Sequence, residues 1–178
     1  HPHPLFGGAN SNKVAHSLAR TFVAMGYCAF RPNFRGVGQS EGTHDEGRGE
    51  TDDMLAVIEE AKRRCGDIPV VLAGFSFGGF VQTRVAKRLA EANHPIQRMV
   101  LVGTAAGFVE GTRSYDTEAV PNDTIVIHGS TDETVPLANV LKWAEPLELP
   151  VVVVPGADHF FHRRLHVIRE IITRSWRH

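Results

Sequence analysis

The sequence predicts an α/β fold, a mostly parallel sheet with helices on both faces. Stretches with apolar residues at helical spacing alternate along the chain with short, continuously apolar runs. Those runs lack the in-out alternation of a strand with one wet face, so they fit parallel strands covered on both sides. At 178 residues the chain has room for one sizeable core but little for two, so residues 1–178 are expected to form a single domain.

Each element follows from the local pattern. Residues 12–25 place Val14, Leu18, Phe22 and Met25 on one helical face, and Gly26 is the stop. Residues 28–34 read as a short strand opening with Cys28-Ala29-Phe30, and a polar, glycine-rich loop covers 35–49. Residues 51–64 return to helical period through Met54, Leu55, Ile58 and Ala61. Residues 69–73 are a buried strand, and 77–92 a helix with Val81, Val85 and Leu89 four apart. The second half repeats the scheme, with strands at 98–102, 124–127 and 151–154 and helices at 137–147 and 165–176. Loops at the carboxyl ends of such strands are where a site is expected.

Composition narrows the function classes. A net charge of −1 gives no electrostatic case for nucleic acid or an anionic membrane. No apolar run approaches the roughly 18 residues that span a bilayer. The opening His1-Pro2-His3-Pro4 has no signal-peptide pattern, so a cytoplasmic protein is expected. Cys28 and Cys65 have no CxxC neighbour and are expected to be reduced.

The pattern G-x-S-x-G occurs twice. Gly38-Gln39-Ser40-Glu41-Gly42 lies in a polar loop with no helix after it. Gly74-Phe75-Ser76-Phe77-Gly78 lies between an apolar strand and a long helix. Only the second has the context that lifts a serine hydroxyl clear of a sheet on a strained strand-to-helix turn. Ser76 is therefore the candidate nucleophile and Ser40 a turn hydroxyl. The helix start also aims backbone amides at a developing oxyanion, with Phe77 N–H the first candidate.

A serine hydroxyl needs a base, and the base an acid that orients it. Asp132 follows the strand before it in Ile127-His128-Gly129-Ser130-Thr131-Asp132, and His159 sits in the loop Pro155-Gly156-Ala157-Asp158-His159. The order Ser, acid, His is the one expected for a serine on this kind of turn. Competitors are weaker. His128 reads as structural at a strand end, and Asp158 diverges from its neighbour His159. His162 and His166 lack an H-E-x-x-H pattern and read as an exposed helical face. Asp52 and Asp53 read as helix-dipole or loop-anchoring charges.

Together the G-F-S-F-G-G turn, the I-H-G-S-T-D-E-T-V-P segment and the G-A-D-H-F-F-H segment resemble the α/β-hydrolase superfamily. More narrowly, His1-Pro2-His3-Pro4-Leu5-Phe6-Gly7-Gly8, Asn12-Lys13-Val14 and the stretch Asn33-Phe34-Arg35-Gly36-Val37-Gly38-Gln39-Ser40-Glu41-Gly42 resemble small, lidless bacterial serine hydrolases related to dienelactone hydrolases and serine aminopeptidase-like esterases. The resemblance implies a triad of Ser76, Asp132 and His159. It implies an oxyanion hole from the backbone amides of Phe77 and of the opening loop, where His3 is first choice and Leu5 second, since Pro2 and Pro4 carry no N–H. It also implies further strands ahead of His1, about 25 to 35 residues with one central to the sheet.

The expected chemistry is hydrolysis of small or accessible carboxylic esters through an acyl-enzyme on Ser76, with no cofactor and no metal. The same triad serves a peptidase, an amidase or an acyltransferase, because pocket shape sets the leaving group. A non-catalytic binding protein on the same fold is a third reading. Only about 20 residues, 103–123, join two strands where related enzymes insert a cap, so an open site is expected. Gly107-Phe108 and Phe160-Phe161 are candidate apolar walls. The oligomeric state is not legible.

Overall fold

The computed structural model describes residues 1–109 and 113–176. Four parallel strands form the sheet: β1 (Val71–Phe75), β2 (Arg98–Val102), β5 (Ile125–Gly129) and β6 (Val151–Val154), side by side in that order. The helices are α1 (Lys13–Ala24), α2 (Arg48–Cys65), α3 (Phe77–Glu91), α4 (Leu137–Ala144) and α5 (Leu165–Ser175).

Side chains of β2 show why the strands are apolar throughout. Met99 and Leu101 pack with Met54, Ile58, Val81, Val85 and Val140, from α2, α3 and α4. Val100 and Val102 point the other way, among Val14, Leu18, Phe22, Ile168 and Ile172 from α1 and α5. All four of these side chains are 0 % exposed, which a one-sided sheet does not allow. The result is a three-layer sandwich with a core on each face of the sheet. No helix among the described residues is long and apolar enough to cross a membrane.

Residues 28–34 are not a strand. A parallel strand needs a neighbour's ladder, but a cleft of about 480 Å³ lies between residues 28–32 and the free edge of β1. Pro32 also removes one donor. The stretch is instead fixed by side chains. Asn10 donates to the Arg31 carbonyl at 2.9 Å, and Phe34 N–H donates to His1 Nε2 at 2.9 Å.

The strand expected at 69–73 runs two residues later, as β1, and other expectations shift as well. The helix expected at 51–64 starts a turn earlier, where the buried Glu50 carboxylate accepts the N–H groups of Gly47 and Asp45 at 2.9 and 2.8 Å. The helix expected at 137–147 ends as α4 and tightens into a 3₁₀ turn, Glu145–Leu147, because Pro146 cannot continue an α-helix. The 103–123 connection holds a small antiparallel hairpin of β3 (Gly107–Val109) and β4 (Arg113–Tyr115), not foreseen in the sequence.

Candidate active site

Ser76 stands between β1 and α3 with φ 56° and ψ −123°, a positive φ that a residue with a Cβ seldom adopts. The turn is held from both sides. Ser76 N–H donates to the Val102 carbonyl at 3.0 Å, and its own carbonyl accepts from Gly79, Phe80 and Ala105. Gly74 lets the helix start fold over the strand end, since a Cβ there would lie 2.6 Å from the Gly78 carbonyl oxygen. The local sequence thus sets a strained turn whose serine leads into a helix N-terminus.

The loops after β5 and β6 bring the acid and the base to this turn. Thr131 donates both its N–H and its hydroxyl to the Ala157 carbonyl at 3.0 Å, and Gly156 N–H donates to Ser130 Oγ at 2.7 Å. A Cβ on Gly129 would lie 2.3 Å from the Ala157 oxygen, so only glycine permits the two loops to meet this closely. Across that contact His159 Nδ1 lies 2.7 Å from Asp132 Oδ2, and His159 Nε2 lies 3.0 Å from Ser76 Oγ. The other oxygen of Asp132 accepts the N–H groups of Thr134 and Val135 at 2.9 and 2.7 Å. Asp132 therefore accepts at both oxygens, which sets Nδ1 of His159 as the protonated nitrogen and leaves Nε2 to accept from the serine. All three side chains are buried, and the His159 ring rests on Phe75 with centroids 4.9 Å apart.

The opening loop covers the far side of the turn. The His3 ring packs on Phe77 at 4.9 Å between centroids and is buried. Burial, with the nearby His44 and Arg113, pushes the His3 pKa down to about 4, so the ring is neutral at neutral pH. Leu5 N–H is spent on His3 Nδ1 at 3.3 Å. That removes Leu5 as an oxyanion donor, while the backbone N–H groups of His3 and Phe77 have no protein acceptor among the described residues.

The competing residues are elsewhere engaged. Asp158 is turned onto His162, whose N–H it accepts at 2.9 Å. Ser40 lies in its loop with its hydroxyl on the Asn33 carbonyl. Asp53 forms a two-pronged pair with Arg35 at 2.7 and 2.8 Å, and Asp52 faces Arg88. Among the described residues no three His, Cys, Asp or Glu side chains group as metal ligands do. Of the two expected aromatic walls, Phe160 and Phe108 are exposed, but Phe161 is a fully buried core residue.

Two neighbours were not foreseen. His44 packs on the His3 and Phe77 rings, with Nδ1 3.1 Å from the buried Glu50. Tyr115, at the end of the hairpin, packs on Phe77 and Phe80. A three-residue strand is too short to carry a readable period, so no local signal marked Tyr115.

The alpha/beta hydrolase fold family model matches residues 3–122. An alpha-beta serine hydrolase homologue from Coxiella burnetii superposes with a TM-score of 0.84 at 37 % identity, over 99 % of this chain and 82 % of that one. XC6422 from Xanthomonas campestris, a serine hydrolase without a lid, gives 0.85 at 35 % identity, over 98 % and 77 %. The uncharacterized protein RP471 of Rickettsia prowazekii is 32 % identical over 90 % of this chain and 69 % of its own length. The lysophosphatidylserine lipase ABHD12 of Mus musculus is 34 % identical over 62 % of this chain, a stretch that spans only 28 % of the lipase. On this sheet order, this turn and these matches, the chain belongs to the alpha/beta hydrolase fold family.

Proposed function

We propose that the chain is a serine hydrolase that cleaves carboxylic esters through an acyl-enzyme on Ser76. The observation that carries this reading is the unbroken relay from Ser76 Oγ to His159 Nε2 at 3.0 Å and from His159 Nδ1 to Asp132 Oδ2 at 2.7 Å. His159 takes the serine proton as Oγ attacks the ester carbonyl. The charge that develops on the carbonyl oxygen is met by the N–H groups of Phe77 and His3. His159 then returns the proton to the leaving alcohol. Water, deprotonated by the same imidazole, cleaves the acyl-enzyme to the acid and restores Ser76. Asp132 stays ionised throughout and stabilises the imidazolium.

Esters are favoured over amides because an ester carbonyl is less resonance-stabilised, and so more open to attack by Ser76 Oγ, than an amide carbonyl. Phe6, whose ring packs on His3, and Phe160, whose ring packs on His159, are exposed apolar side chains beside the site. They offer apolar surface to the acyl or alcohol group of a small, accessible ester.

The test is labelling with a fluorophosphonate followed by peptide mapping, with a panel of p-nitrophenyl esters and anilides beside it. One adduct on Ser76, absent from Ser76→Ala, with ester turnover well above anilide turnover, is the expected result. An adduct on Ser40, or none on the folded chain, overturns the reading.

A further inference from the structure

His128 is the last residue but one of β5, four residues before the candidate acid, and is 0 % exposed. Its Nε2 lies 2.9 Å from the Val135 carbonyl oxygen and 3.4 Å from Asp132 Oδ2. Both neighbours are acceptors, so Nε2 carries the ring proton. Nδ1 is buried and has no hydrogen-bond partner among the described residues. Burial holds the imidazole below its ordinary pKa against the opposing pull of Asp132, so the ring is a neutral donor.

The placement is more than filling. Asp132 sits on the turn that runs from the end of β5 at Gly129 through Val135 to the start of α4. From inside that turn Asp132 Oδ1 accepts the Thr134 and Val135 N–H groups. The His128 N–H reaches the Val135 carbonyl and lies beside the oxygen that faces His159. The titratable groups near the ring are Asp132 and His159. An apolar side chain of similar volume would fill the space but would leave the Val135 carbonyl, buried beside it, without this donor.

We infer that His128 is a positioning residue, whose Nε2–H bridges from β5 to the Val135 carbonyl, beside Asp132, and so fixes the turn that aims the carboxylate at His159. The inference rests on the triad proposed above. The positive end of that N–H, 3.4 Å from Asp132 Oδ2, also offsets part of the carboxylate charge that His159 meets. Removing it leaves more charge facing the imidazole, which favours the protonated base.

The test compares His128→Leu, His128→Gln and His128→Asn with the wild-type chain, by p-nitrophenyl ester kinetics, fluorophosphonate labelling rate and thermal melting. His128→Leu is expected to lose about tenfold in kcat with KM within about twofold, as a misaimed catalytic group does. Its kcat/KM should also fall off at higher pH on the acid side. His128→Gln places an amide N–H near the Nε2 position and should recover most of the rate, whereas His128→Asn is too short and should not. A folded His128→Leu with wild-type kcat and an unmoved acid limb overturns the inference. If His128→Leu does not fold, the amide pair decides: Gln faster than Asn supports the bridge, and equal rates overturn it. A wild-type chain that neither labels nor turns over ester overturns the triad reading and this inference with it, whereas a labelled wild type indifferent to His128 overturns this inference alone.

Discussion

At the scale of single residues, the proposed chemistry depends on which atom of Asp132 faces which partner. One oxygen accepts two backbone N–H groups and the other accepts the His159 ring proton. Asp132→Asn cannot reproduce both. If its amide nitrogen faces His159, it forces the imidazole into the tautomer that cannot take the serine proton. If it faces Thr134 and Val135, two donors meet a third and the turn opens. Either way kcat is expected to fall by roughly 10⁴, with the melting temperature changed far less than the rate. Steady-state ester kinetics checks this, and a variant within about tenfold of wild type refutes the role given to Asp132.

At the scale of elements, the site is a set of junctions, and two of them make separate predictions. The β1–α3 junction has no space for a methyl group at Gly74. Gly74→Ala is expected to cost about 1–3 kcal/mol in a urea titration and to slow labelling of Ser76, because backbone on both sides of the clash must shift. The α2 start is held by Glu50, whose buried carboxylate takes two backbone N–H groups and faces His44. Glu50→Ala strands those donors and is expected to cost about 1–3 kcal/mol, while a loss under about 0.5 kcal/mol sinks the account.

These junctions also show how far the sequence could be read. The Ser76 turn was legible because strand, glycines and helix lie within a few consecutive residues. Asp132 and His159 were legible as loop positions, since each follows an apolar run. Residues 28–34 misled, because strand propensity is realised only against a partner edge, and that edge lies across a cleft. The hairpin with Tyr115, and the packing of His44 on Glu50 and Phe77, are contacts between distant segments that no local pattern encodes.

At the scale of the whole molecule, the packing of loops and strand ends buries titratable groups that ordinarily face water, and this fixes the sign of an acid response. His3 is held at about 4 in the folded state against an ordinary 6.5, chiefly by burial. The unfolded chain therefore binds a proton there that the folded chain refuses. Between those two values each fall in pH favours unfolding, and the stability present above 6.5 is lost progressively until the folded ring itself protonates near 4. His128, buried and lowered in the same direction, adds to the effect. His3→Gln removes one of these titrations, so its urea midpoint should fall less than that of the wild type between about pH 7.5 and about pH 5. Identical pH dependence in the two proteins overturns this account of His3. A wider drop in the variant does so more strongly, because it would mean that His3 protonation stabilises the fold.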